Sequence, residues 1–226
     1  MNMIKAYIRY ILYVFKMRTT IPAVLINKKP IQDNGEELVD LRQFSDLFFA
    51  EDLTNHPVLI RVSVAEKLRQ AGNLLPQGLY LKILSAYRSM KEQQALYNFH
   101  YQKMKETYPL ASEIDWERMT KAICAKPSNT SGSGHQTGGA VDITLCDEKG
   151  NELDMGSKYL EMCFKTPTEC KEIPEVAHNN RKILKQALNT VGMQNYPNEW
   201  WHFCYGDRMW AAYQHKKYAI YRPIDI

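Results

Sequence analysis

The feature that most constrains this chain is a pair of polar motifs far apart in the sequence. One is Ser133-Gly134-His135-Gln136-Thr137-Gly138-Gly139-Ala140-Val141-Asp142, and the other is Glu199-Trp200-Trp201-His202. Together they offer three side chains able to ligate a metal, His135, Asp142 and His202, and one spare carboxylate, Glu199. A catalytic zinc site needs three protein donors, an open position for water, and a base that touches the water rather than the metal. The inventory therefore suits a zinc hydrolase, provided that the fold draws these distant residues into one cleft.

A chain of 226 residues that is 45% hydrophobic can bury one substantial core. No composition break divides it, so one compact domain, residues 26–226, is expected behind a basic, apolar N-terminal arm, residues 1–25. The net charge of +4 comes from 29 basic and 25 acidic residues spread along the chain, without the runs that grip nucleic acid. Five cysteines, an odd number without CxxC spacing, indicate neither a thiolate zinc knuckle nor a full disulfide set. Cys204 reads as a strand residue facing the core. Within the arm, Met3 to Lys16 is basic and apolar, but the run Tyr10 to Phe15 is too short to span a bilayer. It reads as a surface-lying arm, with membrane contact or export as the weaker alternative, and cytoplasm and cell envelope both stay open.

Coarse secondary structure places the motifs. Leu38-Val39-Asp40-Leu41 is a short apolar element, and Ser63 with Glu66 has the form of a capping box opening a helix that Gly72 can close. Leu79 to Leu84 is rich in strand formers and predicts a central strand. Arg88 follows directly, and Ser89 with Glu92 makes a second capping box for a helix carrying Leu96, Tyr97, Tyr101 and Met104. Ala140 to Leu145 alternates as a strand should, with Asp142 on the face of Ala140 and Thr144. A helix holding Val176, Ile183, Leu184, Ala187, Leu188 and Val191 stops at Gly192, and the chain closes with a strand around Trp200 to Tyr205. Helices and strands without regular βαβ repetition predict an α+β fold, with a central antiparallel sheet flanked by helices and the zinc site in a cleft at the sheet.

Neither motif is decisive alone. A lone histidine is more often structural than ligating, and an aspartate near glycines usually forms a turn. Gly138 and Gly139 let the backbone fold back, so that His135 and Asp142 can approach one ion. Glu199 and His202 are three apart, which in an unbroken strand sends them to opposite faces. Pro197-Asn198 therefore predicts a loop or bulge at Glu199, with the strand beginning near Trp200. Arg88, at a strand-to-helix junction held at both ends, can aim a guanidinium at a developing oxyanion. Ser133 either bonds a substrate terminus or steadies the glycine-rich turn. Trp200, Trp201 and Trp210 read as core.

At these residues the sequence resembles the zinc D,D-peptidases of the M15 type, particularly the D-alanyl-D-alanine dipeptidases (VanX-like). The matching elements are Tyr87-Arg88, Ser133-x-His135 through Ala140-Val141-Asp142, Leu153-Asp154-Met155-Gly156, and Glu199-Trp200-Trp201-His202-Phe203, from roughly Leu38 to the C-terminus. The resemblance implies one zinc per chain on His135, Asp142 and His202, Glu199 as base, Arg88 stabilising the tetrahedral intermediate, and Ser133 contacting a small peptide, D-Ala-D-Ala. The chain departs from the dipeptidases at Ser85, where they commonly carry an acid, and at Ser89, where they often carry proline. Tyr87-Arg88-Ser89-x-x-x-Gln93 is closer to the D,D-carboxypeptidases, which trim peptidoglycan stem peptides, while Leu153 to Gly156 and the double tryptophan favour the dipeptidases. A reading of another class is a non-catalytic cell-wall binding module stabilised by zinc, in which Cys204 or His178 closes the fourth position and Glu199 is idle.

Overall fold

The alternation in Ala140-Val141-Asp142-Ile143-Thr144-Leu145-Cys146 becomes a strand with both faces buried. Val141, Ile143 and Leu145 enter the main apolar core, and the intervening Ala140, Asp142, Thr144 and Cys146 point the other way, as a period of two requires. This computed structural model describes residues 20–44, 46–130 and 132–226, together with Lys5 and Ile8. Most of the expected arm, including the run Tyr10 to Phe15, lies outside the described residues. At its end, Ile21 and Leu25 pack against the last helix of the chain. Among the described residues no helix is long and apolar enough to cross a membrane.

In chain order the elements are α1 (Ala23–Ile26), β1 (Leu38–Asp40), β2 (Leu47–Phe49), β3 (Leu59–Arg61), α2 (Val62–Gly72), β4 (Tyr80–Ser85), α3 (Met90–Thr107), α4 (Glu113–Ile123), β5 (Ala140–Cys146), α5 (Glu175–Thr190), β6 (Gln194–Asn195), β7 (His202–Cys204) and α6 (Arg208–Tyr213). The main sheet has five strands in the order β2-β4-β5-β7-β6, and β1 with β3 forms a separate antiparallel pair. All neighbours in the main sheet are antiparallel except β2 and β4, which run parallel. The expected antiparallel sheet is thus mixed at one edge. The chain between β2 and β4 passes through β3 and α2, and a crossover of that length returns it in its original direction.

Helices α2 and α5 pack on each other and on the sheet. Val64, Leu68, Leu184 and Leu188 are fully buried against Val141, Ile143, Leu145 and Trp201. Each such side chain contributes roughly 1.5–3 kcal/mol, so the strands that carry the polar face rest on the best-buried part of the molecule. The Ser89 capping box forms in both halves at the start of α3. The one expected at Ser63 does not. Helix α2 begins at Val62, the backbone and hydroxyl of Ser63 are taken by Glu36 from outside the helix, and Glu66 pairs with Arg69 at 2.7 Å. A tertiary partner outcompeted the local cap.

Candidate metal centre

Strand register builds the centre. Asp142 on β5 is paired with His202 on β7 and with Ser85 on β4. Directly opposed residues of antiparallel strands share a face, so these three side chains form a row across the sheet. The row depends on an irregularity in β4. Between Ile83, which faces Ile143, and Ser85 the register shifts by a residue, and this bulge sets Ser85 rather than Leu84 opposite Asp142.

His135 reaches the same place from a short 3₁₀ turn, His135–Thr137, ended by Gly138 in the left-handed region at φ 67°. Any Cβ at Gly138 would stand 2.5 Å from Leu38 Cδ2, and one at Gly139 would stand 2.6 Å from the Tyr205 carbonyl oxygen. Only glycines let the chain turn this tightly onto β5. His135 Nδ1 lies 2.7 Å from the Ala86 carbonyl oxygen. A carbonyl can only accept, so Nδ1 carries the proton and Nε2 of the neutral ring presents a lone pair.

That lone pair faces His202 Nδ1 at 3.3 Å and Asp142 Oδ1 at 3.3 Å, while His202 Nδ1 lies 3.0 Å from the same oxygen. The three donor atoms lie within 4.8 Å of one another, and all three residues are buried. An imidazole lone pair and a carboxylate oxygen in mutual contact require a proton or a cation between them. Two imidazoles and one carboxylate around one point are a donor set that zinc accepts. The residues present therefore fit the metal. Electrostatics agree. Burial acts to raise Asp142, but His135 and His202 overrule it and hold the carboxyl well below the usual range. Burial pushes His135 down, and in His202 the Asp142 carboxylate outweighs burial and raises it.

Glu199 lies outside the strand, as its neighbours Pro197-Asn198 predict, although β7 starts at His202 rather than Trp200. The turn is closed by Glu199 N–H donating to Tyr196 O at 3.0 Å. Buried Asn195 clamps it, donating from Nδ2 to the carbonyl oxygens of Glu199 and His202, each at 3.1 Å, and accepting from the Thr168 hydroxyl at 2.7 Å. Burial pushes the Glu199 carboxyl up to about 7, with His202 and Arg88 offsetting part of the effect and Asp142 adding to it.

Arg88 stands between β4 and α3. Its guanidinium donates to Gln93 Oε1 at 3.0 Å and to Ser85 Oγ at 3.1 Å, both neutral partners, and it acts electrostatically on Glu199 and His135. Ser133 Oγ donates to the same Gln93 oxygen at 3.1 Å, so a single buried glutamine joins Arg88 to Ser133. Cys204 is buried and bonded to Asp207, and His178 lies on α5. Neither belongs to the donor cluster. Gln93 and Asn195 join the residues expected from the sequence. Gln93 has a signal in its spacing after Arg88, whereas Asn195 has none that the sequence reveals. Trp200, Trp201 and Trp210 are buried, as expected of core.

Comparison with known proteins places this arrangement in context. The profile of peptidase family M15, described as D-ala-D-ala dipeptidase, matches residues 52–221. A D-alanyl-D-alanine dipeptidase of Synechocystis is 26% identical over 227 residues, covering 86% of this chain and 92% of that one. One from Escherichia coli is 40% identical over 74 residues, 33% of this chain and 38% of its own. Among solved structures, VanYB in complex with D-alanine-D-alanine is 18% identical, with 73% of this chain and 82% of that chain covered and a TM-score of 0.47. The D,D-dipeptidase VanXYg, with a D-Ala-D-Ala phosphinate analog, is 20% identical, with coverage of 83% and 64% and a TM-score of 0.45. Because the family profile spans most of the sequence, including every residue of the donor cluster and Glu199, this chain belongs to peptidase family M15, the D-ala-D-ala dipeptidase family.

Proposed function

We propose that the chain hydrolyses the dipeptide D-Ala-D-Ala, with one zinc ion held by His135, Asp142 and His202. The convergence of their three donor atoms within 4.8 Å carries this reading. Zinc bound there supplies Lewis acidity at the scissile carbonyl and makes a water more acidic. Glu199, raised to about 7, is matched to taking a proton from that water near neutral pH and returning it to the leaving amine. Arg88 meets the charge that develops on the carbonyl oxygen. Because Ser85 and Gln93 are neutral, they orient the guanidinium without cancelling its charge. Ser133, bonded to Gln93 beside it, is positioned to receive a substrate terminus. The test is release of D-Ala from the dipeptide by zinc-loaded protein, with Glu199→Ala expected to cost several orders of magnitude, on the order of what the loss of a base and its positioning implies. Full activity in that variant would remove Glu199 from its role.

One observation favours a second reading, a D,D-carboxypeptidase acting on peptidoglycan stem peptides. A dipeptidase must hold a free ammonium, and position 85, directly opposite Asp142, carries a neutral serine. Comparing the dipeptide with an N-acylated tripeptide separates the two. Preference for the acylated peptide would select the carboxypeptidase.

A further inference from the structure

The carboxylate of Asp142 is held from outside the donor cluster by a tyrosine hydroxyl. The Tyr159 hydroxyl donates to Asp142 Oδ2 at 2.9 Å, and Ser85, whose Oγ accepts from Arg88 at 3.1 Å, is the register partner of Asp142 on β4. The direction of the Tyr159 bond is fixed, since an ionised carboxylate cannot donate. Asp142 Oδ2 is thereby occupied, and Oδ1 is the oxygen left facing His135 and His202.

The segment that delivers Tyr159 is fastened on both sides. Before it, Arg181 donates to Met155 O at 2.7 Å, Asn180 donates to Asp154 O at 2.8 Å, and Trp200 donates to Ser157 Oγ at 3.0 Å. Beyond it, Arg181 donates to Pro167 O at 2.7 Å and Lys165 O at 2.8 Å. The Tyr159 ring stands edge-on to Trp201 at 5.5 Å. Next to it Leu160 has φ 60°, a conformation that costs a leucine roughly 1–2 kcal/mol. Strain of this kind persists where the surroundings over-determine it, and it clusters at functional sites.

We propose that Tyr159 is a positioning residue of the metal centre. It commits Asp142 to offering the cation one oxygen. Partners of this kind that orient a ligand are worth about 10- to 100-fold in metal affinity or activity. The inference rests on the zinc reading above, and the experiment keeps the two apart.

Metal-free wild type and Tyr159→Phe are titrated with zinc against a chromogenic chelator, and their Co²⁺ forms are compared by visible absorption. The phenylalanine keeps the ring against Trp201 and removes only the hydroxyl. The expected result is a zinc dissociation constant raised by about 10- to 100-fold, a shifted Co²⁺ spectrum, and a fall in kcat with KM little changed. Equal zinc affinity and an identical Co²⁺ spectrum in the two proteins would overturn the role of Tyr159. Wild type that binds no zinc would instead overturn the reading of the centre. If Tyr159→Phe does not fold, as judged by its circular dichroism melt, Tyr159→Leu is put through the same titrations with the same outcomes.

Discussion

Replacing Glu199 with glutamine in the metal-free protein is expected to stabilise the fold, and to do so mainly at neutral pH and above. In the folded chain this carboxyl titrates at about 7 instead of 4.5, chiefly because burial penalises its charged form. Its folded value therefore lies above its unfolded one. Between those values the folded state keeps a proton that the unfolded state has released, so stability falls as pH rises through the window, and the loss is complete above it. At about 1.36 kcal/mol per unit, the ceiling is about 3 kcal/mol. Because Glu199 is only partly buried, screening by solvent reduces this to about 1–2 kcal/mol. The assay is urea denaturation of both proteins in a chelator at pH 5 and pH 8. Asp142 and the two histidines titrate in both, so the difference isolates position 199. Glu199→Gln should be more stable at pH 8, with a much smaller gap at pH 5. A gap of equal size at both values, or a less stable variant at pH 8, would refute the argument. A buried carboxyl kept near neutrality carries this cost in stability.

Arg88→Lys retains the charge but cannot bond Ser85 and Gln93 at once in the same fork, so kcat should fall by roughly 10²–10³; steady-state kinetics on the preferred peptide checks this. Asn195→Ala leaves the carbonyls of Glu199 and His202 and the Thr168 hydroxyl short of a buried partner, and should cost about 2 kcal/mol of unfolding free energy, measured by urea denaturation. Zinc at 100-fold over its dissociation constant should stabilise the wild-type fold by about 2.7 kcal/mol. The thermal midpoint should therefore rise with zinc concentration, and His202→Ala should abolish that dependence.

Local chemistry made much of the fold legible. The Ala140 to Cys146 alternation, the Ser89 cap and the glycine after α5 all act within a few residues, and the elements they announce are present. The convergence of His135, Asp142 and His202 was legible because their residue types share one chemistry, the ligation of a cation. What failed was decided elsewhere in the molecule. Ser63 gave its cap to Glu36, a partner distant in sequence. The parallel pairing of β2 with β4 depends on a crossover that no local pattern encodes. Helix α4 carries a local signal of the kind that Ser89 gives α3, since Ser112 caps it through the backbone of Asp115. The bulge that puts Ser85 opposite Asp142 is a matter of register, and Tyr159 arrives from a segment with no regular structure to foretell it.

The placement of the donors on β5 and β7 also governs when the centre can come into being. Asp142 and His202 are 60 residues apart in sequence, and His135 and His202 are 67 apart. Contacts of such separation form only after the closure entropy of the intervening loop has been overcome, so they belong to the late stages of folding. A cation meets no ready-made local motif in the nascent chain around which structure could nucleate. A cation bound by these donors would join a sheet already assembled, and its effect would fall on the rate of escape from the native state. A metal held at this centre would be a latch on a finished fold rather than the seed of one.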